Sequence, residues 1–213
     1  MLPAKRQRLI QFARFPRYAQ VKTRLAAAIG HQAAFAAHLE LLHNTAGVLA
    51  SAGCARSELW LDASGSSDDI DRVIAQGLEG PVLQCEGDLG ERMLHALADA
   101  LMRVDRVVLV GSDCPVLSVE YLEQAFHALD THDLVFGPAE DGGFVLIGAK
   151  RVSAGMFAGV VWGEAEVLAQ SLESAAACGL GTASLEPLFD VDRLEDWRRW
   201  QQIRSGVSDA RSV

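Results

Sequence analysis

The run Val107-Val108-Leu109-Val110 constrains this chain more than any other stretch. A strand with one face in water alternates apolar and polar residues. An unbroken short β-branched run reads instead as a strand covered on both faces, as in a parallel sheet flanked by helices. Gly111, Ser112 and Asp113 follow directly, with Pro115 two residues further on. A carboxylate at the end of a buried strand has two explanations. One is a turn, because Asp and Pro both favour turns. The other is a ligand for a metal or substrate at the carboxyl edge of the sheet.

The remaining pattern supplies the helices that such a strand needs. Strands are expected at Leu9–Phe12, Glu58–Leu61, Pro81–Gln84, Val107–Val110, Leu134–Phe136, Phe144–Ile147 and Thr182–Leu185. Helices are expected from Gln32 to about Ala52, from Asp68 or Asp69 to about Gln76, and from Val119 to Leu129 behind a Ser118 cap. Asp88 with Glu91, and Asp192 with Glu195, have capping-box spacing and open helices reaching about Met102 and Ile203. Glu164–Cys178 reads as one more helix. Alternating strands and helices give an α/β fold: a three-layer α/β/α sandwich on a mostly parallel sheet. No linker or repeat interrupts it, so one domain is expected over 1–204, with a flexible tail over 205–213. In such sheets ligands bind outside the carboxyl ends of the strands.

Charge narrows the ligand. The net charge is −9, which argues against a nucleic-acid partner. Its distribution is uneven: seven basic side chains lie between Lys5 and Arg24, and the first acidic residue is Glu40. A local cation cluster on an acidic protein suits a small anionic ligand. No apolar run approaches the roughly 20 residues of a membrane span, and the N-terminus does not read as a signal peptide. The four cysteines are far apart and form no C-x-x-C, so a zinc site or disulfide framework is not expected and a cytoplasmic location fits.

Five stretches carry chemistry. "FARFPRYAQVKTRL", Phe12 to Leu25, follows the first strand without a glycine-rich phosphate loop, and offers Arg14, Lys22, Thr23 and Arg24 instead. Guanidinium groups grip phosphate oxygens in a fork and lysine adds a point charge. "GSDCP" offers Asp113 to Mg²⁺ or Mn²⁺, while Cys114 is read as packing. In "GPAEDGGFVLIG", Glu140 or Asp141 is a candidate general base on an acceptor hydroxyl, and Gly142-Gly143 let backbone approach a substrate. "FDVDRLED" offers Asp192 either as a helix cap or as a second metal ligand complementing Asp113. "EGDLGERM" places Asp88 at a helix N-terminus, whose N–H groups suit an anion or ribose. Trp162 is a candidate for stacking on sugar or base, with core packing as the alternative.

The ordered set K-T-R-L, G-D-L-G-E-R-M, G-S-D-C-P, G-P-A-E-D-G-G and D-V-D-x-x-E-D spans about residues 8–200. It resembles a bacterial family of small glycosyltransferase A-type (GT-A) proteins described as nucleotide-diphospho-sugar transferase-like. The resemblance implies a nucleotide-binding α/β/α sandwich, diphosphate binding around Lys22 and Arg24, and a divalent metal at Asp113. The same fold houses nucleotidyltransferases of the molybdenum-cofactor and phospholactate guanylyltransferase types, whose second metal-binding aspartate would correspond to Asp192. The chain departs from the family pattern at Arg14, which stands for Lys, and at Tyr18-Ala19, which stand for Pro-Gly. It departs again at Trp162-Gly163-Glu164, which stand for W-S-T, and at Asp113, which stands alone where glycosyltransferases carry D-x-D. The expected reaction is metal-dependent glycosyl transfer from a nucleoside-diphosphate sugar to a small-molecule acceptor. The alternatives are pyrophosphate-releasing nucleotidyl transfer from an NTP and a non-catalytic nucleotide-binding module.

Overall fold

The structure, a computed structural model, describes residues 6–53 and 55–206. Seven strands form one sheet: β1 (Gln7–Ala13), β2 (Arg56–Leu61), β3 (Glu79–Leu83), β4 (Arg106–Gly111), β5 (Leu134–Pro138), β6 (Phe144–Ala149) and β7 (Thr182–Ser184). Their spatial order is β3-β2-β1-β4-β6-β5-β7. Only β6 runs antiparallel to its neighbours. The chain therefore winds outward from β1 to β3 and returns to lay β4 on the other side of β1. Such a reversal opens a crevice at the carboxyl ends of the two strands.

The opening run owes its continuous apolarity to burial on both faces. Val108 and Val110 join Leu9 in a cluster beneath α2 (His31–Ser51) and α5 (Val119–Ala128). Val107 and Leu109 join Ile10 and Phe12 in another, beneath α4 (Leu89–Leu101) and α6 (Val167–Ala177). Cys114 is 2% exposed inside the first cluster, a packing residue as expected. α3 (Asp68–Ala75) closes the β2–β3 side through Ile70 and Val73.

The Asp88–Glu91 capping box forms in both directions and starts α4, and Ser118 accepts from the Tyr121 N–H to start α5. Three boundaries differ from expectation. α1 (Thr23–Ile29) is one short helix that the sequence pattern did not announce, because seven residues are too few to display a period. Residues 163–166 are turn, so α6 begins at Val167 rather than Glu164. α7 (Leu194–Arg204) is not capped by Asp192; the Asp196 carboxylate accepts from the Asp192 and Arg193 N–H groups at 3.1 and 2.8 Å. Asp192 is thereby released from a capping role. The tail expected from Ser205 lies, beyond Gly206, outside the described residues.

Ala19 occupies the position where the resembled family carries glycine, and its φ is 61°. The left-handed region costs an L-residue roughly 1–2 kcal/mol, and the greater chain entropy of glycine returns about half of that. Ala19→Gly is expected to stabilise the fold by about 0.5–1 kcal/mol, raising the melting midpoint by about 1–3 °C in scanning calorimetry.

Candidate functional site

At the switch point between β1 and β4 lies a cavity of about 880 Å³. The β1–α1 loop supplies Arg14, Lys22, Thr23 and Arg24. The end of β4 supplies Ser112 and Asp113. The β5–β6 turn supplies Glu140, Asp141 and Gly143, and the segment between β7 and α7 supplies Asp190 and Asp192. Residues up to 169 positions apart are joined here by a few direct bonds.

Val191 is the hub. Its N–H donates to the Asp113 carbonyl at 2.8 Å. Its own carbonyl accepts from Lys22 Nζ at 2.5 Å. Lys22 Nζ also lies 2.6 Å from Asp113 Oδ1, and the lysine side chain is 5% exposed while that of Asp113 is 50% exposed. Lys22 holds a left-handed backbone, φ 50° and ψ 43°, at the N-cap of α1. A non-glycine residue in that region is held there by its surroundings and tends to mark a functional site. The Val191 segment is brought alongside the β5–β6 turn by Leu188, which bonds Pro138 and Glu140 through its backbone at 3.0 Å each.

The residues expected from sequence divide into those that converge and those that do not. Arg14, Lys22, Thr23, Arg24, Asp113, Asp141, Gly143, Trp162 and Asp192 all line the cavity. Arg24 is tied to Asp192 at 2.9 Å in an ion pair. Asp141 Oδ1 accepts from the Gly143 N–H at 2.9 Å, which orients the carboxylate. Glu140 lines the cavity but is gripped by Arg199 of α7 through two bonds of 2.7 and 3.1 Å. The guanidinium hydrogen bond holds its carboxyl below the usual range. A base so stabilised in its ionised form is a poor proton acceptor. Asp88 is spent on capping α4 and does not line the cavity. Gly142 does not line it either. At φ +93° its missing Cβ would stand 1.9 Å from the Ala165 carbonyl oxygen, so close packing of the turn on residues 163–165 requires it. Trp162 packs edge-on against Phe144 and Phe157 while also lining the cavity.

Among the cavity residues given no role from the sequence are Asp190, Gln84, Arg92 and His38. Asp190 faces the cavity together with Asp192, as residues two apart do in an extended segment. Burial, and then the charges of Asp141 and Asp113, push its carboxyl up to about 6. Arg92 donates to Gln84 Oε1 at 3.1 Å, and Gln84 is fixed by the Ala13 and Trp60 carbonyls at 3.3 and 3.1 Å. His38 is 4% exposed, with an Nε2 that has no partner among the described residues. Burial lowers its pKa, against the pull of Asp113. Its only signal in the sequence is a polar residue at core spacing from Ala34, Leu41 and Leu42 on α2.

The cavity lining carries five cationic side chains against eight carboxylates. A bare polyphosphate would be repelled by such a lining unless cations entered with it. Among the described residues no three His, Cys, Asp or Glu side chains converge as a ready-made cation cage. The donor set at Asp113 nevertheless fits a hard divalent ion, which is content with one or two carboxylates plus substrate phosphates. Lys22 Nζ already stands as a cation against Asp113.

Residues 45–164 match the profile of a family described as "Uncharacterized protein conserved in bacteria" (DUF2064), and the chain belongs to that family. No curated protein matches it. Among solved structures, a candidate nucleotide-diphospho-sugar transferase from Desulfovibrio desulfuricans G20 is 31% identical, over 97% of this chain and 90% of that one, with a TM-score of 0.82. A 4-diphosphocytidyl-2C-methyl-D-erythritol synthase from Anaerococcus prevotii DSM 20548 is 11% identical over 95% and 97%, with a TM-score of 0.61. A glucosyl-3-phosphoglycerate synthase from Mycobacterium tuberculosis, solved with Mg²⁺ and UDP, is 12% identical over 97% and 81%, with a TM-score of 0.53. The last two share the fold alone. The architecture is that of the GT-A, nucleotide-diphospho-sugar transferase type. No helix among the described residues is long and apolar enough to cross a membrane.

Proposed function

We propose that this chain is a divalent-cation-assisted transferase that moves a glycosyl group from a nucleoside-diphosphate sugar to a small-molecule hydroxyl acceptor. One observation carries the reading: Lys22 pairs with Asp113 at the switch point of the sheet, and Arg14 and Arg24 line the same cavity, whose net charge is acidic. The 31% identical relative described as a candidate nucleotide-diphospho-sugar transferase supports it. So does the Mg²⁺ and UDP complex of a protein with the same fold.

In this reading Arg14, Lys22 and Arg24 bind the diphosphate, and Thr23 adds a hydroxyl at the first turn of α1. Asp113 would hold the cation. Asp190 is its better partner than Asp192, because Asp190 is the carboxylate whose ionisation Asp113 opposes, whereas Asp192 is neutralised by Arg24. A bound Mg²⁺ or Mn²⁺ neutralises charge on the departing nucleotide. Asp141 accepts the proton of the acceptor hydroxyl, held in place by the Gly143 N–H. Glu140 instead anchors α7 through Arg199. Asp141→Asn is therefore expected to lower kcat by about 10²–10⁴-fold, the usual worth of a general base. Glu140→Gln should lower it by less than about threefold. Steady-state turnover of the two variants checks the assignment, and the reverse ranking would return the role to Glu140.

Nucleotidyl transfer from an NTP is a second reading, favoured by the proximity of two carboxylates, Asp113 and Asp190, to one cationic loop. Pyrophosphate release measured across the four NTPs separates the two. A glycosyltransferase stays silent there and releases nucleoside diphosphate from its sugar donor instead. A chain that does neither, yet binds nucleotide with no dependence on metal, would be a binding module.

A further inference from the structure

We infer that Lys22 is the resident counter-ion of the cation site. In the free protein its ammonium takes the face of Asp113 that a divalent cation would take, so the cation is held firmly only once phosphate draws Lys22 away. The inference rests on the proposed nucleotide reading and adds to it that cation and nucleotide bind cooperatively.

Lys22 differs from the other cations of the loop. Arg14 and Arg24 are exposed, and Arg24, although paired with Asp192, has a side chain that is 63% exposed. The Lys22 side chain is 5% exposed, and its Nζ is committed to Asp113 Oδ1 at 2.6 Å and to the Val191 carbonyl at 2.5 Å. An ammonium has three donors. Two are used by Asp113 and Val191, which leaves one N–H for an incoming phosphate oxygen without loss of the Val191 anchor.

The electrostatics then make the two ligands depend on each other. A divalent cation arriving alone meets an ammonium on Asp113. A diphosphate arriving alone meets eight carboxylates, with Lys22 already neutralised by one of them. With both present, Lys22 would exchange a carboxylate oxygen for a phosphate oxygen and leave Asp113 to the cation, so the repulsion that each ligand meets alone is reduced. Such coupling is reciprocal: each ligand raises the affinity of the other by the same factor.

The test uses the metal-free full chain, with Mn²⁺ alone followed by paramagnetic resonance, and UDP, GDP, ADP and CDP followed by calorimetry. Lys22→Met keeps most of the stem and removes the charge. It is expected to bind Mn²⁺ alone about tenfold or more tightly than wild type, while the mutual enhancement of Mn²⁺ and diphosphate shrinks to less than about threefold. Asp113→Asn provides an independent arm by freeing Lys22. It should bind diphosphate without metal more tightly than Asp190→Asn, although both variants remove one negative charge. Equal Mn²⁺ affinity in wild type and Lys22→Met, with metal-dependent diphosphate binding intact in wild type, overturns the counter-ion role and leaves the proposed function standing. No binding of Mn²⁺ or of any diphosphate to wild type overturns both.

Discussion

Asp113→Ala is expected to remove metal-dependent nucleotide binding and to lower turnover by about 10³-fold or more. A cation that stabilises a departing nucleotide contributes several kcal/mol to the barrier, and each 1.36 kcal/mol is about tenfold in rate. The fold should survive the change. The Asp113 side chain is 50% exposed, and the link from β4 to the Val191 segment runs through its backbone carbonyl, which alanine keeps. Asp192→Ala makes the sharper comparison. It breaks an ion pair with Arg24 whose side chains are 63% and 39% exposed, Arg24 first, a kind of contact worth about 0–1 kcal/mol. Its turnover should fall by less than about tenfold. Initial rates at saturating metal check both, and equal losses would mean that Asp192 shares the cation after all.

Gly142→Ala should be the most destabilising single-methyl change at the site. Its φ of +93° is open to glycine, and the added Cβ would stand 1.9 Å from the Ala165 carbonyl oxygen, a backbone atom that has no rotamer by which to retreat. The backbone conformation costs roughly 1–2 kcal/mol and the overpacking about 1–3 more. For a chain of this size the melting midpoint should drop by about 5–15 °C. Gly159→Ala is the control. It has φ +78° and nothing within 4 Å of its Cβ position, so only the conformational part, about 1–2 kcal/mol, remains. Similar midpoints for the two variants would show that the β5–β6 turn shifts freely and does not hold Asp141.

The architecture was legible because burial on two faces writes itself into composition. β4 has no polar residue between Val107 and Val110, since each side of it meets a helix layer. Local bonds were legible too: the Asp88–Glu91 box is contained within four residues and needs no knowledge of the fold. α1 was not, because seven residues show no period.

The site was legible where one loop supplies it and obscure where distant segments meet. Lys22, Arg24 and Asp113 stand out by residue type beside strand ends. The proposed preference for Asp190 over Asp192 depends on a cap given by Asp196 and a partner, Arg24, that lies 168 positions away. Glu140 looked like an acid free for catalysis until α7 brought Arg199 onto it from 59 positions away. Asp88 and Gly142 were assigned to ligands by type, but the first caps α4 and the second makes room for Ala165. His38 and Arg92 are helix residues whose role depends on which way their helix faces the sheet, and a single sequence does not state that.

The measurement that bears most directly on the account is a thermal-shift panel of UDP, GDP, ADP and CDP and their triphosphates, each with and without Mn²⁺, on wild type and Asp113→Ala. Ligand that binds the native state raises the midpoint by mass action. The account expects one nucleoside diphosphate to raise the wild-type midpoint only when Mn²⁺ is present, with the shift absent in Asp113→Ala. A midpoint unmoved by every nucleotide, or a shift that needs no metal and persists in Asp113→Ala, would contradict it.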